Sequence, residues 1–544
     1  MTAEPGVLGA VLRRQVDEAG DRAFLVCEDD RLSYRELSLR STMLAKGLLA
    51  TGVGRGTHVA LLLPNGPDFA VAALAIARIG AVVVPLSTLS TAAELRDLLD
   101  RADVEVVIAA PVVRGRRLDE LLVEAIGARP APREPAAIRS TAVPTVRQLY
   151  FVADSDADSP TAGDRPVGGP VDAVLARATE IDDDLLAAVE ADVHPGDPLV
   201  IVHTSGSTSA PKGVVHAHGP LLDHLRVLNE LRSYRGDDVL FSNSPFFWIG
   251  GFAYTFLGTL VAGTTVLCSP QGEPGRVLDM MERERPTMCN GYAASALALA
   301  ADPTFATRDL SSMRRGNLYA LMPESARPAD PALRTNMLGM TEGGSVVLSG
   351  PDERDLPEQL RGSFGRPTPD LEGRIVDRAT GSDCEPGAIG ELWLRGAPMM
   401  LGYYGVERGD AFDADQWFHT GDLVHRDEHD HWYFHGRGDD MIKSSGANVS
   451  PAEVAQAILD ATGLEAIVFG LPDPDRGQLV AAAVILPVGQ EAGPDAVQLR
   501  TYLEPLLSGY KIPRVVRVFA TTQVPLRSSG KVDLGRLKEL FDAG

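Results

Sequence analysis

The chain is poor in the residues that build disulfide-stapled, nucleic-acid-binding or membrane-spanning proteins. It has four cysteines in 544 residues, Cys27, Cys268, Cys289 and Cys384. Their wide scatter gives neither a disulfide frame nor a metal-ligand spacing, so reduced thiols and a cytoplasmic setting are expected. Basic residues are also scarce. Against 74 Asp and Glu there are 51 Lys and Arg, a net charge of −23. That balance argues against nucleic acid or an anionic membrane surface as the main partner, and an anionic substrate would need a local basic patch. Every apolar run is interrupted well short of a bilayer's thickness, so no stable membrane insertion is expected. The opening Met1-Thr-Ala-Glu-Pro-Gly6 lacks the basic and apolar regions of a signal peptide. The hydrophobic fraction of 44% and charged fraction of 23% suit a globular protein. The length exceeds what one core can serve, which predicts at least two domains.

The most informative stretch is Thr204-Ser-Gly-Ser-Thr-Ser-Ala-Pro-Lys-Gly213, where hydroxyls, glycines and one lysine crowd together. The apolar run Pro198–Val202 just before it reads as a buried strand. The loop therefore leaves a strand end, where α/β sheets bind ligands. Glycines admit close backbone approach, hydroxyls and N–H groups donate to phosphate oxygens, and Lys212 adds a point charge. The spacing is not that of the GxxxxGK[ST] nucleotide loop, and a polar surface turn has the same composition.

Elsewhere in the first half, strands and helices alternate, which predicts a parallel α/β sheet. Ser33 and Glu36 fit a capping box at the start of a helix. Val59–Leu63 and Ala81–Pro85 read as strands around an apolar helix from Phe69 to Ile79. Gly52-Val-Gly-Arg-Gly56 precedes a strand instead of following one, so it reads as a turn. A helix is expected from about Pro220 to Arg232. Ser242-Asn-Ser-Pro-Phe-Phe-Trp-Ile-Gly-Gly-Phe252 sets large aromatics beside two glycines. It reads either as a strand end packed in the core or as the wall of an apolar pocket. Asn290-Gly-Tyr292 and Leu338-Gly-Met-Thr-Glu342 are loop signals after apolar stretches. Glu342 reads either as a metal-ligand carboxylate or as a solvated glutamate after a turn.

From about residue 371 the pattern becomes alternating and antiparallel, with strands at Gly373–Val376 and Gly390–Arg395. His419, His425, His429, His431 and His435 raise the question of a metal. They lack a ligand spacing on a helix and read as a solvated hairpin. The last hundred residues read as a small α+β domain. Its helices are Ala452–Ala461, capped by Ser450 with Pro451 at the first helical position, and Ala496–Leu507. Its strands are Glu465–Phe469, Leu479–Leu486 and Arg514–Phe519, and Pro525–Lys531 is a basic turn before the closing helix.

Several motifs stand in a definite order. The loop ending Pro211-Lys212-Gly213 is followed by Gly339-Met340-Thr341-Glu342 and Thr420-Gly421-Asp422. Gly436-Arg437-Gly438-Asp439-Asp440 and Ser529-Gly530-Lys531 come next. Together these resemble the adenylate-forming superfamily of acyl-CoA synthetases, non-ribosomal adenylation domains and firefly-type luciferases, most closely the acyl-CoA synthetases. The similarity runs from Leu32-Ser-Tyr34 to Lys531. It implies an α/β fold with a large N-terminal domain, residues 1–437, of parallel α/β sheets plus a β-barrel-like subdomain. A small mobile α+β C-terminal domain, residues 438–544, would carry the catalytic lysine. It also implies ATP, Mg2+ and coenzyme A acting on a small carboxylic acid, in a monomer or homodimer.

The same resemblance assigns roles. Thr204, Ser205, Gly206, Ser207, Thr208 and Lys212 would hold the β- and γ-phosphates. Leu338, Gly339 and Met340 would lie at the nucleotide, Thr341 and Glu342 at the α-phosphate, and Glu342 with Thr208 at Mg2+. Asp422 would bind the ribose hydroxyls, helped by Arg437. Lys531 would bridge the attacking carboxylate and the α-phosphate, where charge builds in the transition state. Asp439 would be the hinge, and the segment around Lys443 would serve the pantetheine tunnel. Phe246, Phe247, Trp248, Gly250, Gly251, Tyr292 and Gly343 would form the acyl pocket, suiting an aromatic or medium-length acid.

The chain departs from the family pattern in places. The glycine-rich adenine segment is replaced by Ala320-Leu-Met-Pro-Glu-Ser325, Leu338 stands where an aromatic is usual, and Trp248 stands where many relatives have histidine. The leading expectation is an ATP-dependent acid–CoA ligase, supported by Tyr510-Lys-Ile-Pro-Arg514. The alternatives are a stand-alone adenylating enzyme that serves an amine or a carrier protein, activation of another oxyanion such as nitrite, and a catalytically silent binding module.

Overall fold

A computed structural model describes residues 6–127, 129–130, 137–153, 167–204, 211–270, 272–350, 355–437, 441–486, 492–520, 523–525 and 532–542. The chain divides into two compact units. One comprises residues 1–88, 96–203 and 213–438, and the other residues 89–95, 204–212 and 439–544.

The first unit contains two largely parallel sheets. One runs, in spatial order, Gly169–Pro170, Gln148–Phe151, Val106–Ala109, His58–Leu62, Val82–Pro85, Pro198–Thr204, Lys212–Ala217 and Gly402–Tyr403. Its central strands are apolar on both faces because helices cover both sides, as parallel sheets require. The second runs Arg315–Gly316, Met288–Asn290, Val239–Ser242, Thr265–Cys268, Ala23–Cys27 and Asp30–Ser33. Its last two strands are an antiparallel hairpin, and the rest pair in parallel.

Between the sheets lies an apolar core built around the helix Pro67–Arg78, which is buried almost throughout. Pro67 starts this helix at a position where a missing N–H costs nothing, and Gly80, at φ 70°, ends it with a left-handed turn. The helix Tyr34–Ala50 begins with the expected capping box: the Ser33 hydroxyl accepts from Glu36 N–H, and Glu36 accepts from Ser33 N–H at 2.8 Å. Asp182 likewise caps the helix Asp183–Ala191.

A β-rich part of the same unit follows. Strands Leu371–Val376, Gly390–Gly396, Phe418–Arg426 and Trp432–Arg437 form one antiparallel sheet. Strands Leu338–Met340, Ser345–Ser349 and Arg366–Pro367 form another. The histidine-rich stretch is the hairpin between Phe418–Arg426 and Trp432–Arg437. There His419 pairs with Asp413, His431 with Asp427, and His425 with His435.

The second unit is α+β. Strands Ala447–Val449, Ile442–Ser444, Gly477–Leu486 and Glu465–Asp473 lie side by side, and Val515–Ala520 pairs in parallel with Gly477–Leu486. Ser450 caps the helix Pro451–Thr462 as expected, with Pro451 first. In this unit the Lys511 ammonium donates at 2.8 Å to both Glu94 and Glu453.

Three readings of local structure need correction. Leu338–Met340 is a strand and not a loop, because it pairs with Ser345–Ser349 across a tight turn. The helix expected to reach Leu507 ends at Leu503, where Glu504 takes over as its cap. The aromatic–glycine stretch after Ser242 continues into the π-helix Gly250–Leu257. Among the described residues no helix is long and apolar enough to cross a membrane.

Candidate active site

In the first unit the motif Thr341-Glu342 sits in the turn that joins Leu338–Met340 to Ser345–Ser349. A tight turn forms here because Gly344 takes φ 73° and its N–H returns to the Thr341 carbonyl at 3.0 Å. Two side chains then fix the turn in place. His216 Nε2 lies 2.7 Å from the same Thr341 carbonyl. Tyr403 donates its hydroxyl to Glu342 Oε1 at 2.8 Å, and Met400 N–H bonds the Glu342 carbonyl at 2.8 Å. His216 and Tyr403 come from neighbouring strands of the large sheet, Lys212–Ala217 and Gly402–Tyr403, whose register pairs Val214 with Tyr403. One end of the parallel sheet thus carries the acidic turn.

Behind the turn the strand Ser345–Ser349 is tied to the core. His224, fully buried, bonds the Val346 carbonyl through Nε2 at 3.0 Å and Asp370 through Nδ1 at 2.8 Å. Burial would raise the Asp370 carboxyl, but the His224 imidazole bonded to it outweighs this and holds the group below the usual carboxylate range. Burial also pushes His216 and His218 down to about 4, so both imidazoles are neutral at pH 7. For His218 the neutral form is also required structurally, since its Nδ1 accepts the Leu8 N–H at 3.3 Å.

The aromatic wall lies in the same unit. Trp248 meets Phe247 and Tyr292 edge-on, with ring centroids 5.3 and 5.5 Å apart. The Tyr292 backbone is clamped by the Asn243 side chain, which accepts its N–H at 2.7 Å and donates to its carbonyl at 3.0 Å. Asn317 clamps Gly291 in the same way, at 2.9 and 2.8 Å. Gly291 must be glycine: its φ is 147°, and a Cβ would come within 1.8 Å of Asn243 Oδ1. Tyr254 of the π-helix donates to Met337 Sδ at 3.4 Å, which joins the wall to the strand leading into Thr341-Glu342.

Two expected pocket residues prove to be packing residues. Phe246 is fully buried among Phe69 and Phe256, in the aromatic core. Gly251 is also buried, and a Cβ there would strike the Pro245 carbonyl oxygen at 1.8 Å. Its lack of a side chain closes the turn onto the chain itself and does not admit a ligand. Gly250 differs, since a Cβ there would meet nothing within 4 Å. Gly343 faces Val347, and Leu338 lies at 3% exposure in the apolar cluster of the β-rich part. The core thus takes the side chain that the resemblance placed at the nucleotide.

Asp422 is 5% exposed in the strand Phe418–Arg426 and stands opposite Arg437 in register. Its N–H is held by the Thr420 hydroxyl, which itself donates to the Leu392 carbonyl. Thr204 ends one strand of the large sheet and Lys212 begins the next, and in the second unit Lys443 N–H bonds Gln478. Ser205, Gly206, Ser207, Thr208, Asp439 and Lys531 lie outside the described residues, and of Arg437 only the backbone is described. Among the described residues no three His, Cys, Asp or Glu side chains gather as a metal site.

Sequence reasoning missed His216, Tyr403, His224 and the asparagine clamps. A histidine inside the apolar strand pattern Gly213-Val-Val-His-Ala217 was the one available signal. The others depend on pairings between segments remote in sequence.

Residues 12–404 match the AMP-binding enzyme family, and residues 458–531 match the AMP-binding enzyme C-terminal domain. The chain is similar to a feruloyl-CoA synthase of Amycolatopsis sp., 32% identical over 94% of both chains. The mitochondrial medium-chain acyl-CoA ligase of Homo sapiens is 27% identical, over 98% of this chain and 87% of that protein. Among solved structures, an amide bond synthetase from Marinactinospora thermotolerans superposes with a TM-score of 0.76. It is 24% identical and covers 98% of this chain and 99% of that one, which establishes a common fold.

Proposed function

The chain belongs to the AMP-binding enzyme family, and from that premise we propose that it is an acid–CoA ligase. A small carboxylic acid attacks the α-phosphate of ATP, forming acyl-AMP and releasing pyrophosphate. The thiol of coenzyme A then displaces AMP to give the thioester. The observation that carries this reading is the joining, within one unit, of the braced Thr341-Glu342 turn to the Phe247–Trp248–Tyr292 wall through Tyr254 and Met337. A group that handles phosphate thereby stands in one framework with an apolar surface suited to an acyl chain. The two curated relatives, both named for CoA ligation and matched along most of their length, favour coenzyme A over an amine or a carrier protein as acceptor.

The residue roles follow from the family pattern and from chemistry. Lys531 pairs its ammonium with the attacking carboxylate and the α-phosphate as charge develops. Asp422 accepts from the ribose hydroxyls, with Arg437 beside it. The hydroxyls and N–H groups of Thr204–Thr208, with Lys212, hold the outer phosphates. Glu342 offers the hard carboxylate oxygen that Mg2+ prefers, oriented by the Tyr403 hydroxyl, and Thr208 would complete the set. A divalent cation held there would neutralise phosphate charge. Residues 438–544 form the lid domain, with Asp439 as hinge and Lys443 on the coenzyme A side. The four cysteines are free thiols, which suits a reducing cytoplasm.

The test is a panel of aromatic and medium-length acids assayed for pyrophosphate, with and without coenzyme A. The reading expects at least one acid to give AMP, pyrophosphate and its CoA thioester in equal amounts. Pyrophosphate release with no CoA-dependent product would remove coenzyme A as the acceptor.

A further inference from the structure

Three asparagines lie at the strand ends that form the aromatic wall, and they differ in one respect. Asn243 and Asn317 spend their side-chain amides on the backbone of Tyr292 and Gly291. Asn290, the last residue of its strand, is 7% exposed, and among the described residues no donor reaches its buried Oδ1. The direction of this side chain follows from the sheet. Successive strand residues face opposite sides. Cys289 faces the apolar cluster that contains Phe241, Leu267 and Met281. Asn290 therefore faces the other side, with Ser242, its partner in register on the neighbouring parallel strand. Ser242 Oγ lies 3.1 Å from the hydroxyl of Thr255 in the π-helix Gly250–Leu257. Asn290 thus points to the space between the sheet and the π-helix. Gly250 begins that same π-helix with open room beside it, Trp248 lies just before it in sequence, and Tyr292, two residues after Asn290, meets the Trp248 ring.

A buried amide carbonyl without a donor is costly, and an apolar side chain of the same branched shape would avoid the cost. In the neighbouring clamps the side-chain oxygens of both Asn243 and Asn317 are paired. We propose that Asn290 is a specificity-determining residue whose Oδ1 accepts a hydrogen bond from the acyl part of the substrate. The acid is then one that carries a donor, such as a hydroxyl, on its ring or chain. This rests on the acid-activating function proposed above and names the substrate class of that site. A site built around such a bond discriminates against the analogue without the donor, because the acceptor is then left unpaired.

The experiment uses matched pairs on the full chain: 3-phenylpropanoate against its 3- and 4-hydroxyphenyl analogues, and octanoate against 8-hydroxyoctanoate. Values of kcat/KM for pyrophosphate release are read alongside equilibrium binding of the same acids. At least one hydroxylated acid is expected to exceed its parent by about 10- to 100-fold. Asn290→Leu should erase that ratio. Asn290→Asp, which keeps an acceptor, should retain the preference. Should Asn290→Leu fail to fold, the wild-type ratio and Asn290→Asp decide the matter. Equal handling of parent and hydroxylated acids by the wild type, as when a water serves Asn290, overturns the proposal, and so does a preference that survives Asn290→Leu. If no acid is activated at all, the acid-ligase reading fails instead. Binding alone then decides on Asn290: tighter binding of the hydroxylated acid supports its role, and equal binding overturns it.

Discussion

At the scale of single residues, the acidic turn depends on how Glu342 and Thr341 are held. A carboxylate on a mobile turn would point where solvent takes it. Here one oxygen accepts from Tyr403, and the preceding carbonyl is pinned by His216. Groups that orient a metal-binding carboxylate usually affect affinity by about 10- to 100-fold when removed. Tyr403→Phe is therefore expected to raise the Mg2+ concentration for half-maximal adenylation about 10-fold, with kcat at saturating Mg2+ changed much less. A Mg2+ titration of pyrophosphate release checks this, and an unshifted midpoint would mean that the Tyr403 bond does not orient the ligand. Tyr403 could not be read from the sequence, because Gly402-Tyr-Tyr404 carries no spacing signal. Asp422 and Glu342 stand out in the sequence because short motifs with fixed neighbours mark them.

At the scale of elements, the π-helix Gly250–Leu257 decides the shape of the wall. Two adjacent glycines open it and have opposite requirements. At Gly251 a methyl group would overlap the Pro245 carbonyl, whereas at Gly250 it would meet nothing within 4 Å. Gly251→Ala should destabilise the protein by about 2–3 kcal/mol, as overpacking against backbone does. Gly250→Ala should leave stability within about 1 kcal/mol, since alanine favours helix over glycine. Thermal melts of the two variants separate them, and equal melting temperatures would contradict this reading of the turn. The sequence placed large aromatics and glycines together but not the helix that follows, because a π-helix has no distinct periodic signature. The same limit made Leu338–Met340 look like a loop: three residues are too few to show alternation, and their partner strand supplies the evidence. Where local chemistry suffices, as at Ser33 with Glu36 or Ser450 with Pro451, the sequence indicated the cap residue by residue.

At the scale of the whole molecule, the buried histidines tie stability to pH. His216 and His218 have their pKa pushed from 6.5 to about 4 by burial. The native state resists protons that the unfolded chain takes up below about 6.5. Their contribution is thus complete above that pH and is lost as the pH falls toward 4. Between pH 7 and pH 5 each weakens the native state by about 2 kcal/mol. Denaturant titrations at the two pH values check this, and His218→Phe should shrink the difference. A pH-independent midpoint would contradict the neutral, buried assignment.

The division into an α/β unit with β-rich sheets and a smaller α+β unit was legible in the change of pattern along the chain. The recruitment of residues 89–95 into the smaller unit was not. It depends on Glu94 meeting Lys511, a contact between segments far apart in sequence.

The central claim is acid activation through an acyl-AMP, assisted by Lys531. Acid-dependent exchange of labelled pyrophosphate into ATP, measured without coenzyme A, isolates that half-reaction. Exchange is expected in the wild type only when a suitable acid is present, with a loss of about 10²- to 10³-fold in Lys531→Ala. Exchange that needs no acid, or that is unchanged in Lys531→Ala, would contradict it.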